Sequence, residues 1–142
     1  MTNLLNFPVT SPYSKYRITV YWLVTVFLVF ELFYGALWDF NLLNKGYVYS
    51  ILNHLGYPLY LAAILAIGKI AAAVVILIPG LWLLKEWAYA GVVILFIGGF
   101  LSHVIVGDGF GQFIWSLLFG IMALVSWKLN YQSDKVKSIL IK

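Results

Sequence analysis

Hydrophobic residues are concentrated in four long segments, with polar residues gathered between them. The apolar runs cover residues 18–38, 59–78, 87–106 and 113–131. An α-helix that crosses the hydrocarbon core of a bilayer needs about 20 predominantly apolar residues. The pattern therefore predicts an all-α protein, a transmembrane four-helix bundle, in which residues 1–142 form a single integral membrane domain.

The connections between the predicted spans differ in length. The first is the longest, and residues 47–54 within it are predicted to form a short interfacial helix. The second connection, residues 79–86, and the third, residues 107–111, are short. We therefore expect most of the structure outside the membrane to lie in the first connection.

The composition supports a membrane location. Hydrophobic residues make up 63% of the chain and charged residues only 10%, whereas a soluble surface needs many more charges. The lipid bilayer is therefore the first expected partner. The chain has no cysteine, which excludes thiol nucleophiles and disulfides within it. The first apolar run is too long for the core of a signal peptide, so we expect it to remain as a span.

The basic residues are distributed unevenly between the two sides of the predicted topology. Basic residues lie before the first span, in the second connection, and from the end of the fourth span into the C-terminal tail. Only Lys45 lies in a connection on the opposite side. Basic residues are enriched on the cytoplasmic side of membrane proteins, so the chain is predicted to be N-in and C-in. This placement accounts for the net charge of +4, and we expect no nucleic-acid partner.

Small residues recur at helical spacing on three of the predicted spans. Helices in lipid associate through close packing, so such residues mark the faces on which helices meet. The sets are Ala62, Ala66 and Ala73 on the second span, Gly91, Gly98 and Ser102 on the third, and Ser116, Gly120 and Ala123 on the fourth. Each of these spans is thus predicted to have one smooth contact face.

Two charged residues, Glu31 and Lys69, lie inside predicted spans. A charge within the bilayer is costly, and such residues usually face the protein interior and pair. Lys69 lies near the middle of its span, on the same stripe as Ala66 and Ala73. The pattern predicts a buried polar centre. It leaves open a structural Glu31–Lys69 ion pair, a polar site for a head group or a proton, and an arrangement that faces lipid or a partner.

Other titratable residues are predicted to gather on the side opposite the termini. His103 lies near the end of the third span, His54 precedes the second span, and Asp108 lies in the third connection. We treat all three as candidates for binding a ligand head group, with quinone as one candidate ligand. The spacing matches no zinc motif, so no metal is predicted. Haem is a weaker candidate, since two histidine rings would have to converge from different helices.

Aromatic and charged residues are grouped around the start of the third span. The group consists of Trp82, Glu86, Trp87 and Tyr89. An acid in the first turn of a helix complements the helix dipole, which is a sufficient structural reason for Glu86. The aromatic residues beside it also suit a rim for a protein partner. We therefore expect either another membrane protein or a second copy of the chain to dock there.

Several of these residues occur in segments that resemble the DoxX-like family of small bacterial membrane proteins. The segments are the run His-Leu-Gly-Tyr-Pro at 54–58, Gly68-Lys69, Pro79, the run Lys-Glu-Trp-Ala-Tyr-Ala-Gly at 85–91, His103 and Gly107-Asp108. The resemblance runs from about residue 34 to residue 108 and does not include Glu31. It implies a multi-pass protein of the bacterial cytoplasmic (inner) membrane.

The resemblance also sets the functional expectations. The wider DoxX group includes a small subunit of an archaeal thiosulfate:quinone oxidoreductase and membrane partners of redox proteins. More distant four-span relatives act as chaperones or cargo receptors. The chain is therefore expected to be an accessory subunit of a quinone-linked redox system that is not catalytic on its own. The alternative is a non-enzymatic assembly factor, chaperone or structural subunit of a membrane complex.

Overall fold

The computed structural model describes the backbone of residues 12–140 and the side chains of residues 16–130. Throughout that part of the chain the structure is all-α, with no β-strand. The helices are α1 (Pro12–Asp39), α2 (Tyr47–His54), α3 (Leu61–Leu77), α4 (Trp82–Ile105) and α5 (Phe110–Leu140). The all-α prediction is confirmed, and the short helix predicted in the first connection is present as α2.

Three stretches of the described chain are long and apolar enough to cross a membrane. They are Tyr16–Asp39, Trp82–Ile105 and Phe110–Asn130. The α3 helix is also apolar but has only 17 residues, which corresponds to a length of roughly 26 Å. These helices identify the chain as a multi-pass membrane protein.

The long helices contact one another in a simple order. α1 contacts α3 and α5, α4 contacts the same two helices, and α2 contacts α1 and α3. α1 and α3 run in opposite directions, because Gly35 late in α1 lies against Lys69, whereas Leu28 shares a core cluster with Ile76 near the end of α3. We call the end of the structure at which α1 ends and α3 begins the α2 end.

The helices meet around an apolar core. It contains Leu28, Val29, Leu32, Ala73, Ile76, Tyr89, Val92, Phe96 and Ala123. The small face predicted for α3 is confirmed, because Ala62, Ala66 and Ala73 are all buried. On α5 a Cβ atom added at Gly120 would lie 3.4 Å from Cδ1 of Ile97, so glycine permits the close approach of α5 to α4.

The contact face predicted for α4 is wrong. Gly91 and Gly98 are exposed, and a Cβ atom added at either would meet no other atom within 4 Å. The residues of α4 that are buried against its neighbours are larger, and they include Val92 and Phe96. Small residues at helical spacing mark a smooth face, and here that face lines open space rather than a neighbouring helix.

Large apolar side chains cover the outside of the helices. Ile67 of α3, Ile94 of α4 and Ile121 of α5 are examples that lie at mid-helix positions and are exposed. Apolar patches of this extent are rare on soluble monomers. The exposed apolar surface therefore supports lipid contact along the helices.

Candidate functional site

A cavity of about 810 Å³ lies at the α2 end of the structure, and all five described helices contribute to its wall. We call it the polar cavity, because its mostly apolar lining is interrupted by Glu31, Asp39, Lys69, Ser102 and His103. Its volume lies within the usual range of ligand pockets, which are mostly apolar with a few convergent polar groups. The polar cavity is thus the leading candidate for a binding site.

The end of α4 brings Asp108 next to His103. Gly107 has a φ of +79°, a left-handed conformation that glycine adopts at little cost. The amide of Gly107 donates to the carbonyl of Val104, and that of Asp108 donates to the carbonyl of His103. This pattern is a Schellman motif. It terminates α4 and returns the Asp108 side chain towards the histidine.

The same motif ends α2. Gly56 has a φ of +77°, its amide donates to the carbonyl of Asn53, and the amide of Tyr57 donates to the carbonyl of Leu52. The turn directs Tyr57 towards α4, where its hydroxyl lies 2.8 Å from Oγ of Ser102. The glycine-terminated ends of α2 and α4 therefore meet.

Asp108 bridges the two histidines. Its Oδ2 lies 2.6 Å from Nδ1 of His103, and its Oδ1 lies 2.7 Å from Nε2 of His54. The hydrogen bonds from His103 and then His54 lower the pKa of Asp108 below its ordinary value of 3.8. The carboxylate is therefore ionised at neutral pH. Its stabilising effect is fully present above pH 3.8 and is lost as the pH falls through the lower pKa of the folded state.

The bridge determines which nitrogen of His103 is available to a ligand. An ionised carboxylate only accepts hydrogen bonds, so Nδ1 of a neutral His103 carries the proton and donates it to Asp108. Nε2 is then an acceptor. His103 lines the polar cavity, whereas His54 and Asp108 do not, and the His54 side chain is 55% exposed. The three head-group candidates are thus brought together, with His103 alone at the cavity wall.

The wall of the polar cavity also contains an ion pair. Nζ of Lys69 lies 2.6 Å from Oδ2 of Asp39, and the two side chains are only 15% and 10% exposed. Gly35 makes room for the ammonium group, because a Cβ atom there would lie 3.1 Å from Nζ. The acidic partner of Lys69 is therefore Asp39, and not Glu31 as the sequence suggested. Glu31 lines the same cavity but forms no ion pair among the described residues.

Side-chain direction explains the change of partner. Cβ atoms in a helix tilt towards its N-terminus. Lys69 on α3 therefore reaches towards the α2 end, while Asp39, the last residue of α1, points back from that end. Glu31 lies eight residues before Asp39, or roughly 12 Å deeper, and its side chain points further away. Cα heights alone, which the sequence provides, do not contain this information.

A separate polar cluster lies near the opposite end of the helices. Oγ of Ser126 lies 2.7 Å from Oγ1 of Thr25 and 2.7 Å from the hydroxyl of Tyr89. All three side chains are fully buried or nearly so. The cluster joins α1, α4 and α5. Sequence reasoning missed it, since single hydroxyl residues in apolar helices carry no spacing signal.

The predicted partner rim is divided by the structure. Trp82 and Trp87 are strongly exposed, Trp87 at 74%, and they remain available to a partner. Tyr89 is only 1% exposed, so its place in the rim is wrong. It follows Trp87 by two residues, or roughly 200° of helix rotation, so the two side chains point to opposite sides of α4. Glu86 accepts a hydrogen bond of 2.6 Å from Nε1 of Trp127. That bond fastens α4 to α5.

Metal binding receives no support from the described side chains. Among them there is no group of three or more His, Cys, Asp or Glu residues arranged to hold a metal ion. The side chains of His54 and His103 each bond Asp108 instead.

Fold and site together define a small multi-pass membrane protein with a polar cavity between its helices. The chain belongs to the DoxX-like family, whose sequence model matches residues 23–126. The match covers α2, α3 and α4 and every polar residue named above for the cavity wall. No significant match is found among curated proteins or among solved structures.

Proposed function

We propose that this protein is an accessory subunit of a quinone-linked membrane redox system, and that the polar cavity receives the quinone head group. The observation that carries the proposal is the presence of His103 and Lys69 in one mostly apolar cavity between helices. A quinone head group needs few polar contacts and a slot that excludes water. The mostly apolar lining of the polar cavity, with its few polar groups, supports such a site.

The two groups suit the two redox forms of the head group. The Lys69 ammonium donates hydrogen bonds and favours a carbonyl oxygen, while Nε2 of His103 accepts and favours a hydroxyl. Asp108 holds the His103 ring in place through the bond to Nδ1. The chain has no cysteine, so thiol chemistry on a sulfur substrate would belong to a catalytic partner protein.

Binding of quinone gives the first test. We expect His103→Ala to weaken menaquinone or ubiquinone binding by roughly tenfold, because a hydrogen bond in a cavity contributes about 1 kcal/mol or slightly more. His54→Ala is the matched control, since it removes the exposed histidine that bonds Asp108. We expect it to weaken quinone binding by less than about threefold. Native mass spectrometry of the purified protein and quinone titration measure both. Wild-type protein that carries and binds no quinone would contradict the proposal.

We further propose that all four long helices span the bacterial inner membrane as one four-helix domain, with both termini in the cytoplasm. The 17 residues of α3 are at the lower limit for a span. Under this arrangement the polar cavity and α2 face the outside. The distribution of Lys and Arg supports the orientation.

Thiol labelling tests the orientation. With cysteine introduced singly at Thr2, Ser50 or Ser138, an impermeant thiol reagent applied to intact cells should label only the Ser50→Cys variant. Ser50 is an exposed residue of α2, so it is accessible if the α2 end faces outwards. The chain has no other cysteine, which makes each variant unambiguous. Labelling at Thr2 or Ser138 with protection at Ser50 would reverse the proposed orientation.

The exposed Trp82 and Trp87 favour a second candidate, a non-enzymatic assembly factor or structural subunit. Aromatic side chains of this kind are enriched where proteins bind one another. This candidate needs no ligand in the cavity. It would take precedence if the protein bound no quinone and if Trp87→Ala released a co-purifying membrane protein or a second copy of the chain.

A further inference from the structure

A second opening lies between α3 and α4, on the outside of the structure. It has a volume of about 440 Å³ and, apart from Lys69, is lined by apolar residues and glycines. We call it the α3–α4 groove. On α4 its lining extends from Leu84 to Leu95, a distance of roughly 16 Å along the helix axis.

The α3–α4 groove and the polar cavity adjoin each other. Leu65, Lys69 and Leu95 belong to the walls of both. Along α4 the two spaces follow one another, because the groove ends at Leu95 and the cavity occupies residues 94–103. A polar cavity at the α2 end is thus followed along α4 by an apolar groove that extends towards the opposite end.

Glycines keep the groove open. Gly68 on α3 and Gly91 on α4 both line it, and both are exposed. A Cβ atom added at either position would have no other atom within 4 Å. The space beside both glycines is therefore free of the protein's own side chains, which leaves room for an apolar chain in the groove.

We propose that the α3–α4 groove holds the apolar tail of the molecule whose head group occupies the polar cavity, so that the ligand is a long-tailed amphiphile, an isoprenoid quinone, and not a free head group. This inference rests on the proposed function. The shared wall of the two spaces supports it, because a lipid acyl chain or a partner helix would not need a polar cavity next to the groove. The exposed groove also gives such a ligand a lateral entrance from the bilayer.

The test compares a short-tailed and a long-tailed menaquinone on the full-length protein in detergent. Gly91→Leu places a side chain in the groove, and its Cβ atom meets no other atom within 4 Å. Ala90→Leu is the matched control, since Ala90 is also exposed on α4 but does not line the groove. Gly68→Leu repeats the test from the α3 side. Thermal unfolding confirms that each variant folds.

We expect wild-type protein and Ala90→Leu to bind the long-tailed quinone several-fold more tightly than the short-tailed one. The gain is modest because a tail leaving detergent or lipid gains packing and not hydrophobic transfer. Gly91→Leu and Gly68→Leu should remove this preference and leave short-tailed binding unchanged. The loss of tail preference in both groove variants, with none in Ala90→Leu, supports the tail site.

Each other outcome has a separate meaning. Equal binding of both quinones by wild type, or a tail preference that survives in both groove variants, overturns this inference and leaves the proposed function standing. Binding of neither quinone overturns both. Loss of a co-purifying membrane protein in Gly91→Leu, with tail preference intact, would assign the groove to a partner helix instead.

Discussion

Lys69→Met should destabilise the protein by about 3–5 kcal/mol, the usual cost of leaving one partner of a buried ion pair unpaired. Asp39 is the group left behind, since its Oδ2 lies 2.6 Å from Nζ of Lys69 and both side chains are largely buried. Asp39→Asn should lower stability in the same direction. Thermal and denaturant-induced unfolding in detergent measure both changes.

The double variant identifies the partner. Lys69→Met combined with Asp39→Asn removes both charges and should recover much of the loss, because no unpaired charge remains in the protein interior. Lys69→Met combined with Glu31→Gln is the matched control. Its losses should be additive, since Glu31 lies in the same cavity wall without forming the pair. Recovery with Glu31→Gln and none with Asp39→Asn would contradict the structure.

Ser126→Ala should lower stability by about 1–3 kcal/mol, the cost of removing a hydrogen-bond partner from buried polar groups. The Ser126 hydroxyl bonds two other buried hydroxyls, those of Thr25 and Tyr89. These residues belong to three different helices, so the loss should loosen the end of the structure away from α2. Thermal unfolding in detergent measures the change.

Ser102→Ala provides the control for that prediction. Oγ of Ser102 donates to the carbonyl of Gly98 and lies 2.8 Å from the Tyr57 hydroxyl, so the number of bonds lost is similar. Both bonds of Ser102 are exposed, and water can replace the lost partner. We expect a smaller effect than at Ser126. Equal losses in the two variants would show that burial does not determine the cost.

The two polar clusters have different chemical characters, and this difference supports placing the binding site at the α2 end. The Ser126 cluster is made of neutral hydroxyls that bond one another inside a packed core. The α2 end has an ion pair, an aspartate between two histidines, and a cavity large enough for a ligand. The hydroxyl cluster is therefore suited to stabilising helix packing, while the α2 end has the groups that the proposed binding site needs.

Local sequence was sufficient to predict the helices. Long apolar runs predicted the long helices, and α2 was predicted at Tyr47–His54, where the structure has it. The predicted face of α3 was also correct, because Ala66 and Ala73 leave little choice about which side can approach a neighbour. These properties depend on hydropathy and residue size along one segment, and both can be read without knowing the neighbouring helices.

Membership of the polar sites depended on how the helices are rotated and where their side chains point. The sequence identified Lys69 as a buried charge, but it did not identify Asp39 as the partner of Lys69. The reason is that side chains on two antiparallel helices tilt in opposite directions. It placed Tyr89 on the surface and Gly91 in a contact face, and the rotation of α4 reverses both. His54, His103 and Asp108 were selected as candidates from their shared side of the membrane. Only the tertiary structure brought them within hydrogen-bond distance, through two glycine turns on separate helices.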